Sequence, residues 1–343
     1  MIKYKTHAVV TIIALVLCVN LMPVNAQEAI DYPEIPAVDF SRVARSGWQF
    51  LHLPTTARNA AMANIKCGLV NNDAMAVFAN PADLVDVENI DIGFSKFNYI
   101  ADISYMTAAV ARNFGQWGVF GIQFASLNSG DMIRTENRPG AFGNERYTNL
   151  GTFDAGDLLV GLSYARSITD RFSIGGNVNY IEETLDDVKA SNIGFDFGLY
   201  FKTGFNSLRF AIVGRNLGAD QRFGGFDELY GLPIDVRMPM ELFMGIGYDF
   251  IGGTEDDMHN LSGYLEASHP NDEDERVHAA LEYDLSKMFF LRGGYRFNYD
   301  EIGATFGGGI NLQMAGYKVR VDYAYLDYGR LDATHMFTFG FGM

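Results

Sequence analysis

Histidine, cysteine and serine residues are the first candidates for chemistry in this chain, because they serve as bases, nucleophiles and metal ligands in enzymes. Their spacing supports none of these roles. No two histidines form a His-x-x-x-His pair, no zinc-type Cys/His spacing occurs, and neither a Gly-x-Ser-x-Gly elbow nor a P-loop is present. The sequence therefore predicts no catalytic residue, no metal centre, no cofactor and no enzyme.

Two acidic clusters are candidates for ion binding. Glu255-Asp256-Asp257 and Asp272-Glu273-Asp274-Glu275 carry the carboxylate oxygens that Ca²⁺ prefers. Neither follows the EF-hand pattern, so solvated turns are the preferred interpretation and a Ca²⁺ site is the alternative. The Gly307-Gly308-Gly309 run is interpreted as a packing feature, because it lies inside a predicted strand and not between a strand and a helix.

Arginine residues beside aromatic side chains form a third candidate site. This composition is typical of protein interfaces, and it is also common where a barrel meets lipopolysaccharide. Two predicted loops carry it. The partner-binding residues that we predict there are Arg134, Arg138, Arg146, Arg222, Phe223, Phe226 and Tyr230.

Alternating hydrophobicity indicates the elements that carry these loops. From Phe172 to Tyr180 every second residue is apolar or glycine, and the same scheme recurs over 191–201. A period of two residues over about ten residues indicates a β-strand with one apolar face, and this length at a tilt crosses a bilayer. Fourteen such segments are predicted, an even number that is typical of bacterial outer-membrane barrels. They are 89–99, 104–114, 117–126, 156–166, 171–181, 191–201, 207–217, 239–249, 260–268, 275–284, 288–298, 302–312, 317–327 and 334–343.

The lengths of the connections provide an independent test of this strand count. In a barrel whose two termini face the periplasm, long extracellular loops follow odd-numbered strands and short turns follow even-numbered ones. The long connections 127–155, 182–190 and 218–238 follow the third, fifth and seventh predicted strands. The connection from Ile251 to His259 is the exception, because it is long but follows an even-numbered strand.

The two faces of the predicted strands distinguish a membrane barrel from a soluble β-sandwich. One face carries Phe, Tyr, Leu and Ile, and its main charges, Lys96 and Arg112, fall near strand ends. The other face is mostly Gly, Ser, Ala and Asn, which suits a crowded barrel interior better than a solvated sheet surface. We therefore predict an all-β fold, an antiparallel transmembrane β-barrel of about 14 strands.

The first 26 residues have the features of a signal peptide: two lysines, an apolar run, and small residues in Val24-Asn25-Ala26 before Gln27. Cleavage there would remove Cys18, leave Cys67 as a single thiol and change the formal net charge from −16 to −18. Such an acidic chain is not expected to bind nucleic acid, because phosphate binding needs clustered Lys and Arg. The predicted location is the bacterial outer membrane.

The segment before the first strand is predicted to plug the barrel. Thr56 to Asn64 is compatible with a helix capped by Thr55 or Thr56, and Asp73 to Asn80 indicates a second short helix that ends before Pro81. This segment is longer than a periplasmic tail needs, so we expect part of it in the lumen. The predicted organisation is a signal peptide over 1–26, a helical plug or hatch over 27–88 and a barrel over 89–343.

Several features of this segment carry a family resemblance: the run from Phe50 to Arg58 (FLHLPTTAR), Asp73, and Asn80-Pro81-Ala82 with Leu84. With them the chain resembles, over roughly 47–343, the PorV/PorQ family of the type IX secretion system, a branch of the FadL-like barrels. Ala61-Met62-Ala63-Asn64 departs from the family, which often has glycines there. The plug residues that the resemblance singles out are Ala57, Arg58, Asn80, Pro81 and Ala82.

The resemblance implies a 14-stranded barrel that works through partners. These would be outer-membrane lipid and lipopolysaccharide, the secretion translocon barrel, an attachment complex and secreted cargo with its signal domain. On this interpretation the chain is a component of the type IX secretion and attachment machinery that binds proteins through its extracellular loops. The alternative is a FadL-like passive transporter of hydrophobic small molecules, against which the small and polar residues predicted for the lumen argue.

Overall fold

Fourteen antiparallel strands close into a barrel in the computed structural model, which describes residues 46–137, 147–222, 235–252, 257–299, 302–331 and 333–343. The barrel strands are β1 (Ile90–Asn98), β2 (Ser104–Asn113), β3 (Val119–Asn128), β6 (Ala155–Thr169), β7 (Phe172–Leu185), β8 (Val188–Lys202), β9 (Arg209–Leu217), β12 (Glu241–Ile251), β13 (His259–Pro270), β14 (Arg276–Leu285), β15 (Phe289–Phe297), β16 (Ala304–Met314), β17 (Tyr317–Asp327) and β18 (Ala333–Gly342). The predicted fold class and strand count are confirmed.

Closure of the barrel depends on the pairing of its first and last strands. β1 pairs with β18 in antiparallel register, with Phe94 opposite Phe339, and every other barrel strand pairs with the barrel strands next to it in the chain. A closed sheet leaves no edge of unpaired N–H and C=O groups, which hydrocarbon could not solvate. The alternating Phe residues near the C-terminus therefore complete the wall.

Four strands outside the barrel wall were not predicted. β4 (Met132–Asn137) pairs with β5 (Tyr147–Phe153), and the two-residue strands β10 (Gln221–Arg222) and β11 (Asp235–Val236) pair with each other. The prediction of a long 182–190 loop is wrong, because β7 and β8 extend until Leu185 pairs with Val188. Strand segments beyond the bilayer contact water on both faces, so they lack the apolar alternation by which we recognised strands.

The connections divide between two ends of the barrel. We call the end that carries 99–103, 129–154, 218–240 and 298–303 the loop end, and the opposite end, which carries 114–118 and 203–208, the turn end. The strand count places the connection from Ile251 to His259 at the turn end, and its residues 253–256 lie outside the described part of the chain. This connection is therefore a long member of the turn-end set and does not indicate a missing strand.

The outer face of the wall is apolar throughout its middle. Successive residues alternate between exposed and buried along β1, β3, β8 and β18. The exposed positions include Ile92, Phe94, Phe120, Phe124, Leu162, Val178, Phe195, Leu265, Leu281, Phe337 and Phe339. Such a band requires a hydrocarbon surrounding, so the barrel crosses a membrane with its strands. Among the described residues, no helix combines the length and apolarity that a membrane span requires.

A chain segment that we call the hatch, residues 46–88, lies inside the barrel. It contains the 3-10 helix Gln49–His52, the α-helix α1 (Ala57–Ala61) and the 3-10 helices Ala74–Phe78 and Pro81–Asp86. Thr56 caps α1, because its hydroxyl accepts from the backbone N–H of Asn59 at 3.1 Å. Three further 3-10 helices lie in connections: Ile100–Asp102, Gly115–Trp117 and Gly329–Leu331.

The hatch threads the lumen from one end to the other. Gly47 N–H donates to the carbonyl of Arg237 at the loop end at 3.0 Å, and Val87 accepts from the Asn113 amide at the turn end at 2.8 Å. Apart from an isolated bridge between Ser46 and Arg237, the described hatch adds no strand to the barrel sheet. The hatch is therefore held by side chains and not by a backbone ladder.

Candidate functional site

Glycines on the inner face of the wall form the seat of the hatch around Pro81. A Cβ atom on Gly175 would overlap the carbonyl of Pro81, and one on Gly198 would overlap the amide oxygen of Asn80. Backbone can approach backbone this closely only where the wall has no side chain. The Asn-Pro-Ala segment singled out in the sequence is thus placed directly against β7 and β8.

Asn80 shapes the turn that this seat receives. Its side-chain oxygen accepts from the Ala82 N–H at 3.1 Å, and its amide donates to the Asp83 carboxyl at 3.0 Å. Asn71 donates to the other Asp83 oxygen at 3.0 Å. Burial raises the pKa of Asp83 well above its usual range, although the hydrogen bond from Asn71 opposes this shift. This part of the hatch is therefore a compact, internally hydrogen-bonded unit.

An ion-pair network fastens α1 to the wall. Arg58 Nε and Nη2 donate to the two oxygens of Glu282 at 3.0 and 2.8 Å. Arg292 also donates to Glu282, at 2.6 Å, and to Asp322 at 2.5 Å. Burial opposes the charge of Arg58, but the Glu282 carboxylate outweighs burial and raises the pKa of Arg58. The predicted plug residue Arg58 is thus the charged link between hatch and barrel, and its neighbour Ala57 is fully buried.

A second carboxylate, Glu266 of β13, holds the hatch through its backbone. One Glu266 oxygen accepts from the N–H groups of Lys66 and Cys67 at 2.8 and 2.7 Å. The other oxygen is hydrogen-bonded to His278 Nδ1 at 3.0 Å, and His278 Nε2 is hydrogen-bonded to the Tyr299 hydroxyl at 2.9 Å. A chain of polar contacts therefore runs from the hatch through the wall to a loop-end connection.

His52 ties the first turn of the hatch to the loop end. Its ring nitrogens lie 3.4 Å from Glu241 and 3.8 Å from Asp272. Burial alone would lower the pKa of His52, but the nearby carboxylates of Asp272 and Glu241 raise it. Burial would raise the pKa of Asp272, but nearby His52 and the hydrogen bonds from Ser46 and Gln49 outweigh burial and hold this pKa below its usual range. The Asp272–Glu275 cluster therefore contributes to the attachment of the hatch.

Two further carboxylates of that acidic cluster, those of Glu273 and Glu275, also have protein partners. Glu273 pairs with Arg276, and Glu275 is hydrogen-bonded to His269. No group of three or more His, Cys, Asp or Glu residues that could hold a metal ion occurs among the residues with a described structure. The other cluster, 255–257, lies partly outside the described residues, so the alternative of a Ca²⁺ site is untested there.

A cavity of about 180 Å³ opens between the hatch and the loop end, and we call it the vestibule. Its floor and walls include His52, Leu53, Pro54, Lys66, Glu241, Phe243 and Arg296, and its rim includes Tyr99, Tyr299 and Tyr328. Burial lowers the pKa of Lys66 to about 8; nearby Arg215 and Arg296 add to this effect. The vestibule is thus a space on the loop side of the hatch that charged and aromatic side chains line together.

The partner-binding residues predicted from sequence are only partly described. Arg134 forms an ion pair with Asp186 and lies over the Phe153 ring, so it fixes β4 and β5 to the β7–β8 turn. Arg222 lies on β10 opposite Asp235. The other predicted residues, Arg138, Arg146, Phe223, Phe226 and Tyr230, lie outside the described part of the chain.

The charged lining of the lumen was missed by the sequence analysis. We expected mainly Gly, Ser and Asn on the inner face, yet Arg209, Glu266, Glu282, Arg292, Arg296 and Arg320 are also buried there. Their signal was available: each of them occupies the same alternating positions as the small residues of its strand. We did not use it because a charge at an inward position has meaning only when its partner across the lumen is known.

Solved structures of other barrels have the same fold. The chain is similar to the toluene transporter TbuX of Ralstonia pickettii, with a TM-score of 0.55 and 13% identity, covering 84% of this chain and 97% of that one. The Pseudomonas putida toluene transporter TodX gives a TM-score of 0.56 and 10% identity, with coverage of 84% and 97%. The CymD monoaromatic hydrocarbon channel gives 0.52 and 12%, with coverage of 84% and 96%. No family model and no curated protein matches the sequence.

At these identities the likeness concerns the fold alone. The structures are named as transporters and a channel, and none of the three as an enzyme. The shared fold specifies no substrate for this chain and does not support the PorV/PorQ resemblance in particular. Together with the closed wall and its apolar outer face, it identifies the chain as a bacterial outer-membrane β-barrel with the fold of these hydrocarbon channels.

Proposed function

We propose that this barrel is a passive, hatch-gated transporter of small hydrophobic molecules across the outer membrane. The observation that carries the proposal is the way in which the hatch is attached. It fills the lumen but shares no backbone ladder with the fourteen-stranded wall, apart from the bridge at Ser46. The hatch can therefore shift by exchanging side-chain contacts while every barrel hydrogen bond is kept.

The vestibule supports the same proposal. It lies on the loop side of the hatch and is bordered by the rings of Tyr99, Phe243, Tyr299 and Tyr328. Aromatic walls with a few polar groups are typical of small-molecule sites. The toluene transporters TbuX and TodX share the fold, which is consistent with the proposal at the level of architecture. Passage through the lumen then requires movement of the hatch, because the inner face is otherwise occupied.

A covalent tether between hatch and wall tests this gating. Cys67 is a free buried thiol in the hatch, and a Cβ added to Gly245 of β12 would lie 2.7 Å from its Cβ. The variant Gly245→Cys therefore needs a widening of about 1 Å to form a disulfide, whose Cβ–Cβ distance averages ~3.8 Å. The variant is reconstituted into liposomes that contain lipopolysaccharide, and uptake of a hydrophobic dye is measured. We expect the oxidised variant to take up much less dye than the wild type.

Two controls separate the tether from the substitution. Gly245→Ser adds a side chain of similar size without a disulfide, and Gly245→Cys folded under reducing conditions keeps the thiol free. Both should take up dye faster than empty liposomes. Uptake by the oxidised tether equal to that of the serine variant would show that the hatch need not move. Uptake by the wild-type barrel equal to that of empty liposomes would refute the transport function.

A second candidate function is that of a component of the type IX secretion and attachment machinery, as the PorV/PorQ resemblance implies. The observation in its favour is the hairpin of β4 and β5, which extends from the loop end outside the wall. Ile133, Tyr147 and Leu150 are more than half exposed on it, although no lipid surrounds a loop. Affinity purification from detergent-solubilised outer membranes should then recover a translocon barrel or an attachment protein together with this chain. A variant with Ser in place of Ile133, Tyr147 and Leu150 should no longer recover that partner. Recovery of the barrel alone would count against this role.

A further inference from the structure

One edge of a buried arginine in the vestibule has no partner. Arg296, on the inner face of β15, is 6% exposed, and its Nε and Nη2 atoms have no hydrogen-bond partner. It forms no ion pair among the described residues, and its guanidinium carbon lies 5.7 Å from the centre of the Tyr299 ring. A buried charged donor without an acceptor is costly, so a group that supplies two acceptors would be bound there.

The Nε–Nη2 edge of another arginine, Arg58, shows which kind of group fits such an edge. Arg58 uses its own Nε and Nη2 to hold the two oxygens of the Glu282 carboxylate at 3.0 and 2.8 Å. A planar carboxylate matches the two parallel N–H groups of a guanidinium edge, whereas an ammonium offers only a point charge. The Nε–Nη2 edge of Arg58 thus binds a carboxylate, whereas the same edge of Arg296 has no acceptor from the protein.

A second cation lines the same cavity. Lys66 is 7% exposed; its ammonium lies 5.1 Å from the centre of the Phe243 ring, and no carboxylate of the described chain lies within ion-pair distance. The acidic residues of the vestibule are already engaged, Glu241 with His52 and Glu273 with Arg276. The cavity therefore contains two cations that the protein leaves unmatched.

The size and walls of the vestibule limit the ligand to a small one. An engineered apolar cavity of roughly 150 Å³ accepts benzene. A vestibule of about 180 Å³ therefore has room for one ring and a carboxylate, but not for a long acyl chain. Phe243 on the wall and the tyrosines of the rim provide flat apolar surfaces for such a ring.

We propose that the vestibule is a binding site for small aromatic carboxylates, with the ligand carboxylate on the Nε–Nη2 edge of Arg296 and beside the Lys66 ammonium. This site rests on the proposed transport function for its physiological meaning. It specifies the class of molecule that would bind on the loop side of the hatch before transport. Binding itself can be measured without transport.

Calorimetry on the full-length barrel in detergent tests the site, with benzoate as the probe and benzamide as its neutral isostere. We expect wild-type protein to bind benzoate at least tenfold more tightly than benzamide. Arg296→Gln and Lys66→Met should each weaken benzoate binding at least tenfold and leave benzamide binding unchanged. Arg330→Gln, which removes an exposed arginine of the loop end, should bind benzoate like the wild type.

The comparison of the two probes on wild-type protein needs no variant, so a folding defect cannot obscure it. Equal affinity for benzoate and benzamide would overturn the proposal. So would tighter binding of inorganic phosphate than of benzoate, which would identify a phosphate site. Dye uptake without benzoate binding would reject the site and keep the transport function, whereas benzoate binding without any uptake would keep the site and reject transport.

Discussion

Adjacent residues of a barrel strand lie on the outer and the inner face of the wall, and the two faces differ in how specific their contacts are. On β14, Leu281 points outward and is 52% exposed, whereas its neighbour Glu282 points inward and is 7% exposed. Leu281 belongs to a continuous apolar band in which neighbours are interchangeable, because lipid tails contact any apolar side chain equally well. Glu282 bridges Arg58 of the hatch and Arg292 of the wall. The outer face is defined by composition, and the inner face by individual partners.

This difference explains where the molecule can have a specific function. Outward positions contact only lipid, so an exchange of one apolar residue for another is expected to have little effect there. The inner face combines glycines and ion-pairing residues that contact one particular neighbour in the hatch with an arginine, Arg296, whose Nε and Nη2 atoms have no partner. Substitutions of adjacent residues can therefore test the comparison strand by strand.

The largest effect is expected for Glu282→Gln. It leaves Arg58 and Arg292 buried with one charged partner fewer, and removing one partner of a buried ion pair costs about 3–5 kcal/mol. The free energy of unfolding, measured by urea titration in liposomes, should fall by that amount. The matched variant is Leu281→Met on the outer face, where a volume-conserving exchange should change stability by less than about 1.5 kcal/mol. Equal effects at the two positions would contradict the distinction between the faces.

A smaller effect is expected at a pair of glycines on β15. A Cβ on Gly294 would lie 2.5 Å from the backbone nitrogen of Ala63 in the hatch, whereas one on Gly293 would meet nothing closer than 3.7 Å on the outer face. Gly294→Ala should lower the free energy of unfolding by about 1–3 kcal/mol through overpacking. Gly293→Ala should leave it unchanged, with urea titration as the measurement. A loss that is larger at Gly293 would show that the hatch does not lie against this strand.

The smallest effect concerns pH and Lys66. Burial lowers the pKa of Lys66 to about 8 from a usual value of 10.5, helped by Arg215 and Arg296 and opposed by Glu241 and Glu266. Between these pH values the unfolded chain holds the proton and the folded chain does not, so stability rises with pH in this window and is unaffected by this group below it.

The matched variant for this pH effect is Lys66→Met, which cannot titrate. The wild type should gain about 1 kcal/mol more than this variant in free energy of unfolding between pH 7 and pH 9. Unfolding curves at the two pH values measure the difference. The same pH dependence in both proteins would mean that Lys66 is still charged in the lumen at pH 9 and that burial does not lower its pKa.

Much of the wall could be predicted from the sequence, and little of the lumen. All fourteen barrel strands were predicted with ends within a few residues, because a wall between lipid and lumen alternates with a strict period of two. The two hatch helices were predicted near 56–64 and 73–80. The second is a short 3-10 helix over Ala74–Phe78, and a new 3-10 helix begins at Pro81. The hairpin of β4 and β5 was missed, because its few apolar residues do not alternate regularly with polar ones.

What the sequence by itself determined is therefore the outer face: strand number, membrane crossing and the position of the hatch before the first strand. Only the tertiary structure decided what the lumen contains, including the Glu282 bridge, the glycine seat of Pro81 and the unmatched edge of Arg296. The physical reason is the range of the interactions. Contact with lipid depends on each residue alone, whereas Arg58 and Glu282 are 224 residues apart in the chain, and their pairing exists only once the barrel has closed around the hatch.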